Sequence, residues 1–179
     1  MAAPKRRLVE RIAEADFLDS LQEIPIDELR ELRDECREAE NEISFERRLS
    51  QARIDILSAE LDRRSGSEKT GLLERLPEIL AAELGGSSGP LPSRAPDFSV
   101  PRNVDVPRRR VEEIMGEQTL ARLPQLEPAE IKAIISSLNS HESALSERRK
   151  RIHEVMDQVQ SEIVRRYTSG EADPTAALK

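Results

Sequence analysis

The chain has 179 residues, a formal net charge of −7, 37% hydrophobic residues and 35% charged residues. Aromatic residues make up only 2% of it and Trp is absent, so a thick aromatic core is excluded. Long helices that each bury one apolar stripe are favoured instead. The negative charge argues against direct DNA binding, and the single cysteine excludes an intrachain disulfide framework.

No apolar run is long enough to span a membrane, and the N-terminal residues lack the apolar core of a signal peptide. We therefore expect a cytoplasmic protein with no membrane contact. In chain order, residues 5–22 predict a short helix. Residues 28–64 contain neither Pro nor Gly and predict a first long helix, which ends at Ser65-Gly66-Ser67.

Residues 65–127 predict short accessory helices at 70–84 and 108–123, with Gly116 as a point where the second can break. The segment 85–107 between them is rich in Gly, Ser and Pro and is typical of a linker. Residues 128–168 predict a second long helix, because Pro suits a first helical position and Ser-Gly follows at the end.

Both long helices carry an apolar seam near heptad spacing. Matching seams joined by a long connection predict an all-α fold, an antiparallel two-helix coiled coil (a helical hairpin) with short accessory helices. We expect residues 1–179 to form a single helical unit. The seams are Leu29, Leu32, Cys36, Ala39, Ile43, Ser50, Ile54, Leu57 and Leu61 in the first helix, and Ile131, Ile134, Leu138, Leu145, Ile152, Met156, Val159 and Ile163 in the second.

The first long helix has a second apolar seam that has no counterpart on the second helix. It consists of Phe45, Leu49, Ala52, Ile56 and Ala59. An exposed apolar seam needs cover, and two interpretations stay open. The accessory helices cover it, or a partner protein does, which would assign Phe45, Leu49, Ala52 and Ile56 to partner binding.

A polar stripe lies between the two seams of the first helix and occurs again on the second helix. Its spacing of 4, 3, 4 and 4 residues keeps all five positions on one helix face. One copy alone would be explained by surface side-chain pairs worth a few tenths of a kcal/mol each. Two copies in the same phase relative to the seam indicate binding. The copies are Glu40, Ser44, Arg47, Gln51 and Asp55, and Glu142, Ser146, Arg149, His153 and Asp157.

The residue types of the stripe are suited to a guanine nucleotide. Arg can read the O6 and N7 edge of guanine or grip a phosphate with its fork of donors. A carboxylate can accept the N–H groups on the other guanine edge, and Ser and Gln add hydroxyl and amide contacts. In an antiparallel hairpin the two stripes are related by a pseudo-twofold axis, so a symmetric guest or a pair of equal molecules is expected.

Enzyme and metal sites are not predicted. Residues 85–89 match G-x-S-x-G, but no strand precedes them and they lie in the predicted linker. No helix carries a Glu-x-x-His pair, so a bundle di-metal site is not supported. The remaining alternative is a passive coiled-coil scaffold or adaptor without a nucleotide ligand.

The repeated pattern E-x3-S-x2-R-x3-Q-x3-D resembles the signature of the RsiG family, the cyclic di-GMP-responsive anti-sigma factors of sporulating actinobacteria. The first copy matches at all five positions. The second matches at four, with His153 where the family pattern has Gln. The segments IPIDELRELRDE and TGLLERLPEIL are also similar to the family, so the resemblance covers most of the chain.

The resemblance implies an antiparallel coiled coil that binds cyclic di-GMP as a pair of partly intercalated molecules. Loaded with this ligand, such a protein captures a WhiG-type sporulation sigma factor and keeps it from RNA polymerase. Arg47 and Arg149 would then contact guanine or phosphate, and Asp55 and Asp157 the guanine N–H groups. The ligand-binding residues implied are Glu40, Ser44, Arg47, Gln51, Asp55, Glu142, Ser146, Arg149, His153 and Asp157.

Overall fold

The computed structural model describes residues 17–66, Pro77 and residues 109–173. Within these residues no strand is present, so the predicted all-α class is confirmed. None of the helices in this part of the chain has both the length and the apolar composition needed to cross a membrane. The elements are α1 Ile26–Ser65, α2 Arg110–Ile114, α3 Glu117–Ala121, a 3-10 turn Leu123–Gln125 and α4 Pro128–Ser169.

The long helix α1 has charges at its ends that suit the helix dipole. Asp27 and Glu28 lie in its first turn, and Arg63 and Arg64 lie in its last turn. The helix ends before Gly66, whose φ of 73° is in the left-handed region. Glycine adopts this conformation without steric cost, which makes it a common residue after a helix end.

The long helix α4 begins at Pro128, a position where the missing backbone N–H has no helical partner to lose. Its first turn is fixed by Glu130, whose carboxylate accepts a hydrogen bond from the backbone N–H of Glu127 at 2.8 Å. The helix ends at Ser169, and Gly170 follows with a φ of 77°. Both ends follow from local sequence signals.

The predicted short helix 108–123 is divided at Met115 and Gly116. Met115 has extended backbone angles, φ −146° and ψ 92°, and its side chain is fully buried. The predicted helix 70–84, apart from one residue, and the linker 85–107 lie outside the described residues. Of the first predicted helix, 5–22, the described part from residue 17 forms turns.

The chain divides into two units. Unit one consists of Met1–Glu42 and Glu147–Lys179, and unit two consists of Ile43–Ser146. Each unit contains a segment of α1 packed against a segment of α4, and each is described here by itself.

In unit one, the two helix segments are antiparallel. Arg30, near the start of α1, donates to the hydroxyl of Tyr167 near the end of α4 at 2.6 Å. Glu40, which is later in α1, accepts a hydrogen bond at 2.9 Å from Arg149, which is earlier in α4. Positions therefore advance along one helix as they go back along the other.

Unit two shows the same order. Glu46 of α1 lies 2.9 Å from the imidazole of His141. Arg64, at the end of α1, donates to the carbonyl of Leu126, just before the start of α4. The predicted antiparallel helical hairpin is therefore confirmed.

The core of unit one is built from the predicted apolar seams of both long helices. One fully buried residue, Val155, lies outside the predicted seam. Among the described residues of this unit, the largest fully buried side chains are Leu29, Cys36, Ile152, Val155 and Val159, and Ile163 is 2% exposed.

The core of unit two includes the accessory helices as well as the two long ones. Its buried cluster consists of Leu57, Val111, Met115, Leu123, Ile131 and Leu138. The partly buried Leu49 and Ile56 of the second seam pack against this cluster. The segment 109–126 therefore contributes apolar cover to the second seam, as the first of the two open interpretations expects.

Candidate functional site

The two copies of the polar stripe lie on the two long helices, the first on α1 and the second on α4. All ten residues are within the described part of the chain. Because a helix repeats every 3.6 residues, each copy presents its side chains along one face. Hydrogen bonds between the helices then show which stripe residues meet.

In unit two, the carboxylate of Glu142 is the acceptor for three side chains of the two stripes. Its Oε1 accepts from Arg47 Nη1 at 3.3 Å, from Gln51 Nε2 at 3.4 Å and from Ser146 Oγ at 2.9 Å. We call these four residues the Glu142 half-site. The side chains of Arg47 and Glu142 are 26% and 21% exposed, so the group is open to solvent on one side.

In unit one, the carboxylate of Glu40 has the equivalent role. Its Oε1 accepts from Arg149 Nε at 2.9 Å and lies 3.3 Å from His153 Nε2. We call these three residues the Glu40 half-site. The first residue of each stripe thus contacts the third and fourth residues of the other stripe, and the same pairing occurs in both units.

The other stripe residues lie on the same two helices with different exposure. Ser44 is buried, Asp55 is half-buried and Asp157 is exposed. The structure therefore brings seven of the ten predicted residues into the two half-sites through the contacts given above. The role of all ten in ligand binding stays a prediction.

The arginines of the half-sites keep hydrogen-bonding capacity for a ligand. The Nε of Arg47 is buried and has no hydrogen-bond partner in the described part of the chain. Arg149 donates to Glu40 through its Nε, and its side chain is 37% exposed. A guanidinium with unused donors in a plane suits the O6 and N7 edge of guanine or a phosphate group.

The contacts of the half-sites are ion pairs and hydrogen bonds within the protein, and no metal is needed to explain them. In the described ranges, His, Cys, Asp and Glu side chains form no group of three or more that could hold a metal ion. Each half-site offers one guanidinium and one carboxylate; the Glu142 half-site adds the amide of Gln51 and the hydroxyl of Ser146, and the Glu40 half-site adds the imidazole of His153. Groups of these types can hydrogen-bond to the edge of a base or to a phosphate.

The second seam residues assigned to partner binding occupy several environments. Leu49 and Ile56 pack against the core of unit two, and Ala52 is half-buried. The ring of Phe45 lies under the guanidinium of Arg109, 5.0 Å from its centroid. The assignment of these four residues to a partner stays a prediction, while the structure shows that the accessory segment contributes to their cover.

Two groups of charged residues near the helix ends were missed by sequence reasoning. Each follows a stripe at the same distance along the chain and has the pattern E-x2-R-R. The repetition of this pattern could have identified the two groups, because each copy follows its stripe with the same spacing. The groups are Glu60, Arg63 and Arg64 on α1, and Glu162, Arg165 and Arg166 on α4.

Comparison with known proteins places the chain in a family. The RsiG-like family model matches residues 15–80 and 117–178, which together are more than half of the chain. These regions include both copies of the stripe. No curated protein matches the chain. The chain belongs to the RsiG-like family, a family of regulatory anti-sigma factors.

Proposed function

We propose that this protein is an anti-sigma factor that binds cyclic di-GMP and, when loaded, captures a WhiG-type sporulation sigma factor and withholds it from RNA polymerase. Membership of the RsiG-like family supports the anti-sigma role. The nucleotide and the identity of the sigma factor belong to the proposal, as does a cytoplasmic location.

One observation carries the nucleotide proposal. The same pairing of an acid with an Arg and a neighbouring donor occurs in both half-sites, each with residues from both stripes. A doubled set of groups suits a ligand that offers the same groups twice. Cyclic di-GMP has two guanines and two phosphodiesters, so it offers such groups twice.

A ligand can replace the glutamates as the partners of the arginines in the half-sites. Pairs of this kind that remain partly exposed contribute only about 0–1 kcal/mol, and Arg149 is 37% exposed where it meets Glu40. Binding of the guanidinium groups to a nucleotide therefore sacrifices little of the free energy that these ion pairs contribute. In the proposed complex Arg47 and Arg149 bind guanine or phosphate, and Asp55 and Asp157 accept from guanine N–H groups.

Calorimetric titration of the full chain with cyclic di-GMP, with and without a WhiG-type sigma factor, tests the proposal. We expect binding, and tighter binding when the sigma factor is present. If the nucleotide strengthens sigma capture, the sigma factor must strengthen nucleotide binding by the same factor. A passive scaffold would give no heat in either titration and no change in melting temperature on addition of the nucleotide.

His153 is expected to make nucleotide binding mildly pH-dependent. A neutral imidazole can both donate and accept, as the Gln of the family pattern can, whereas a protonated one only donates. The ring also lies 3.3 Å from the carboxylate of Glu40. We therefore expect the affinity of the wild type to vary with pH and that of His153→Gln to stay nearly constant, when both proteins are titrated with the nucleotide at several pH values. Parallel titration curves for the two proteins would contradict this expectation.

Leu49→Asp tests the cover of the second seam. Leu49 packs against the core cluster of unit two, and placing a charge on such a contact costs about 1–3 kcal/mol. We expect the thermal midpoint, followed by circular dichroism, to fall. Sigma capture is measured in parallel below the transition. An unchanged melt with lost capture would assign Leu49 to the sigma-binding surface instead.

A further inference from the structure

Two arginines outside the stripes each tie the end of one long helix to the turn that leads into the other. In unit two, Arg64 donates through Nε to Glu60 at 2.7 Å and through Nη2 to the carbonyl of Leu123 at 2.7 Å. Its Nη1 donates to the carbonyl of Leu126. We call this group the Arg64 clamp.

In unit one, Arg166 makes the equivalent group, which we call the Arg166 clamp. Its Nε donates to Glu162 at 2.8 Å, and its Nη1 donates to the carbonyl of Ile24 at 2.6 Å. Its Nη2 donates to the carbonyls of Leu21 at 2.9 Å and Gln22 at 3.0 Å. Arg166 is only 8% exposed, so these bonds form in a largely dry environment.

The acceptors of both clamps are backbone carbonyls of a turn that immediately precedes a long helix. The rigid planar guanidinium can donate to several such carbonyls at once. Carbonyls within a helix already accept backbone hydrogen bonds, so groups of free carbonyls occur mainly near helix ends and turns. The carboxylate of each clamp stays ionised at neutral pH. Hydrogen bonds from Arg63 and then Arg64 lower the pKa of Glu60 to about 2. Arg165 and Arg166 do the same for the pKa of Glu162.

The apolar seams alone do not determine how far one helix is shifted along the other. A heptad-like seam can pair again after a shift of seven residues, which is about 10 Å along the axis. Such a shift would separate Arg47 from Glu142 and Arg149 from Glu40. A polar group that has one suitable location is a known means of specifying register.

We propose that Arg64 and Arg166 are positioning residues for the nucleotide site, each holding the helix register that forms the half-site of its own unit. This inference rests on the proposed function for its ligand, but the register itself can be measured without ligand. Neither arginine is part of a half-site, so their effect on binding passes through the position of the helices.

The test compares two double variants of the full chain. Arg64→Gln with Arg166→Gln removes the carbonyl contacts. Arg63→Gln with Arg165→Gln is the matched control, because these neighbours donate to the same glutamates and, in the described residues, to no backbone carbonyl. Both variants lose the same charge.

Register is measured first by pulsed electron spin resonance in a Cys36→Ala background. One label pair, at Glu38→Cys and Glu154→Cys, reports on unit one, and a second pair, at Asp62→Cys and Lys132→Cys, reports on unit two; all four positions are exposed. We expect the clamp variant to show a second population of label distances. It would come from molecules whose helices are displaced along each other by about 10 Å, one heptad of helix rise. We expect the control to keep the wild-type distribution.

Nucleotide affinity is measured next, at a temperature at which circular dichroism shows wild-type helicity for both variants. We expect the clamp variant to bind cyclic di-GMP about tenfold more weakly, equivalent to about 1.4 kcal/mol, and the control to stay near the wild type. An unchanged distance distribution overturns the inference, and so does a displaced register with unchanged affinity.

Two further conditions of the experiment separate loss of folding, and failure of the proposed function, from failure of this inference. If the clamp variant loses its helicity, Arg64→Lys with Arg166→Lys, which keeps the charge but not the fork, replaces it in the same measurements. If the wild type itself binds no cyclic di-GMP, the proposed function fails, while the distances still decide whether the clamps hold the register.

Discussion

Replacing Arg47 and Arg149 together with alanine is expected to weaken cyclic di-GMP binding by about a hundredfold or more. Each guanidinium would lose a charge-assisted contact, and hydrogen bonds of charged groups contribute roughly 1.5–3 kcal/mol each. Two losses in one ligand pair therefore amount to at least two orders of magnitude. Calorimetric titration of the double variant against the wild type measures the change.

The helices should survive this double replacement. The side chains of Arg47 and Arg149 are partly exposed, and the ion pairs they lose are of the weak, solvated kind. The matched control is Arg148→Ala with Lys150→Ala, which removes the same charge from two exposed positions beside Arg149. Weakening by the control to the same extent would show that net charge, and not the half-sites, determines binding.

Leu57→Ala is expected to have the largest effect on stability among the substitutions considered. Leu57 is fully buried and belongs to the cluster that joins both long helices of unit two to the accessory helices. Truncation of a buried Leu leaves a cavity and costs about 2–5 kcal/mol. For a chain of this size that lowers the melting temperature by about 5–15 °C.

Thermal and urea unfolding followed by circular dichroism measure this loss, with Val164→Ala as control. Val164 is 47% exposed, so its truncation should change stability by no more than about 0.5 kcal/mol. Because Leu57 is not a stripe residue, the folded variant should still bind cyclic di-GMP. Equal effects of the two truncations would show that unit two lacks the core described for it.

The long helices and their ends could be predicted from the sequence because their signals are local. Pro128 and the glycines at 66 and 170 mark boundaries through their own backbone preferences. The apolar seam was also predictable, since spacing determines which residues share a face. Val155 shows the limit of this reasoning, because it is fully buried in unit one although it lies outside the predicted seam.

The stripes could be recognised from repetition, but the pairing within each half-site could not. Spacing places Glu40 and Arg149 on helix faces, and only the register between the helices decides that they meet. The contacts of the two clamps could not be predicted from the sequence either. The pattern E-x2-R-R is visible twice in the sequence, but the acceptors of Arg64 and Arg166 are backbone carbonyls, which side-chain patterns do not reveal.

A crystal structure of the full chain with cyclic di-GMP and the sigma factor is the most direct test of the nucleotide site. It should show the guanidinium groups of Arg47 and Arg149 within hydrogen-bonding distance of guanine edges or phosphates of a bound nucleotide pair. Nucleotide bound elsewhere, or both arginines turned away from it into solvent, would contradict the account.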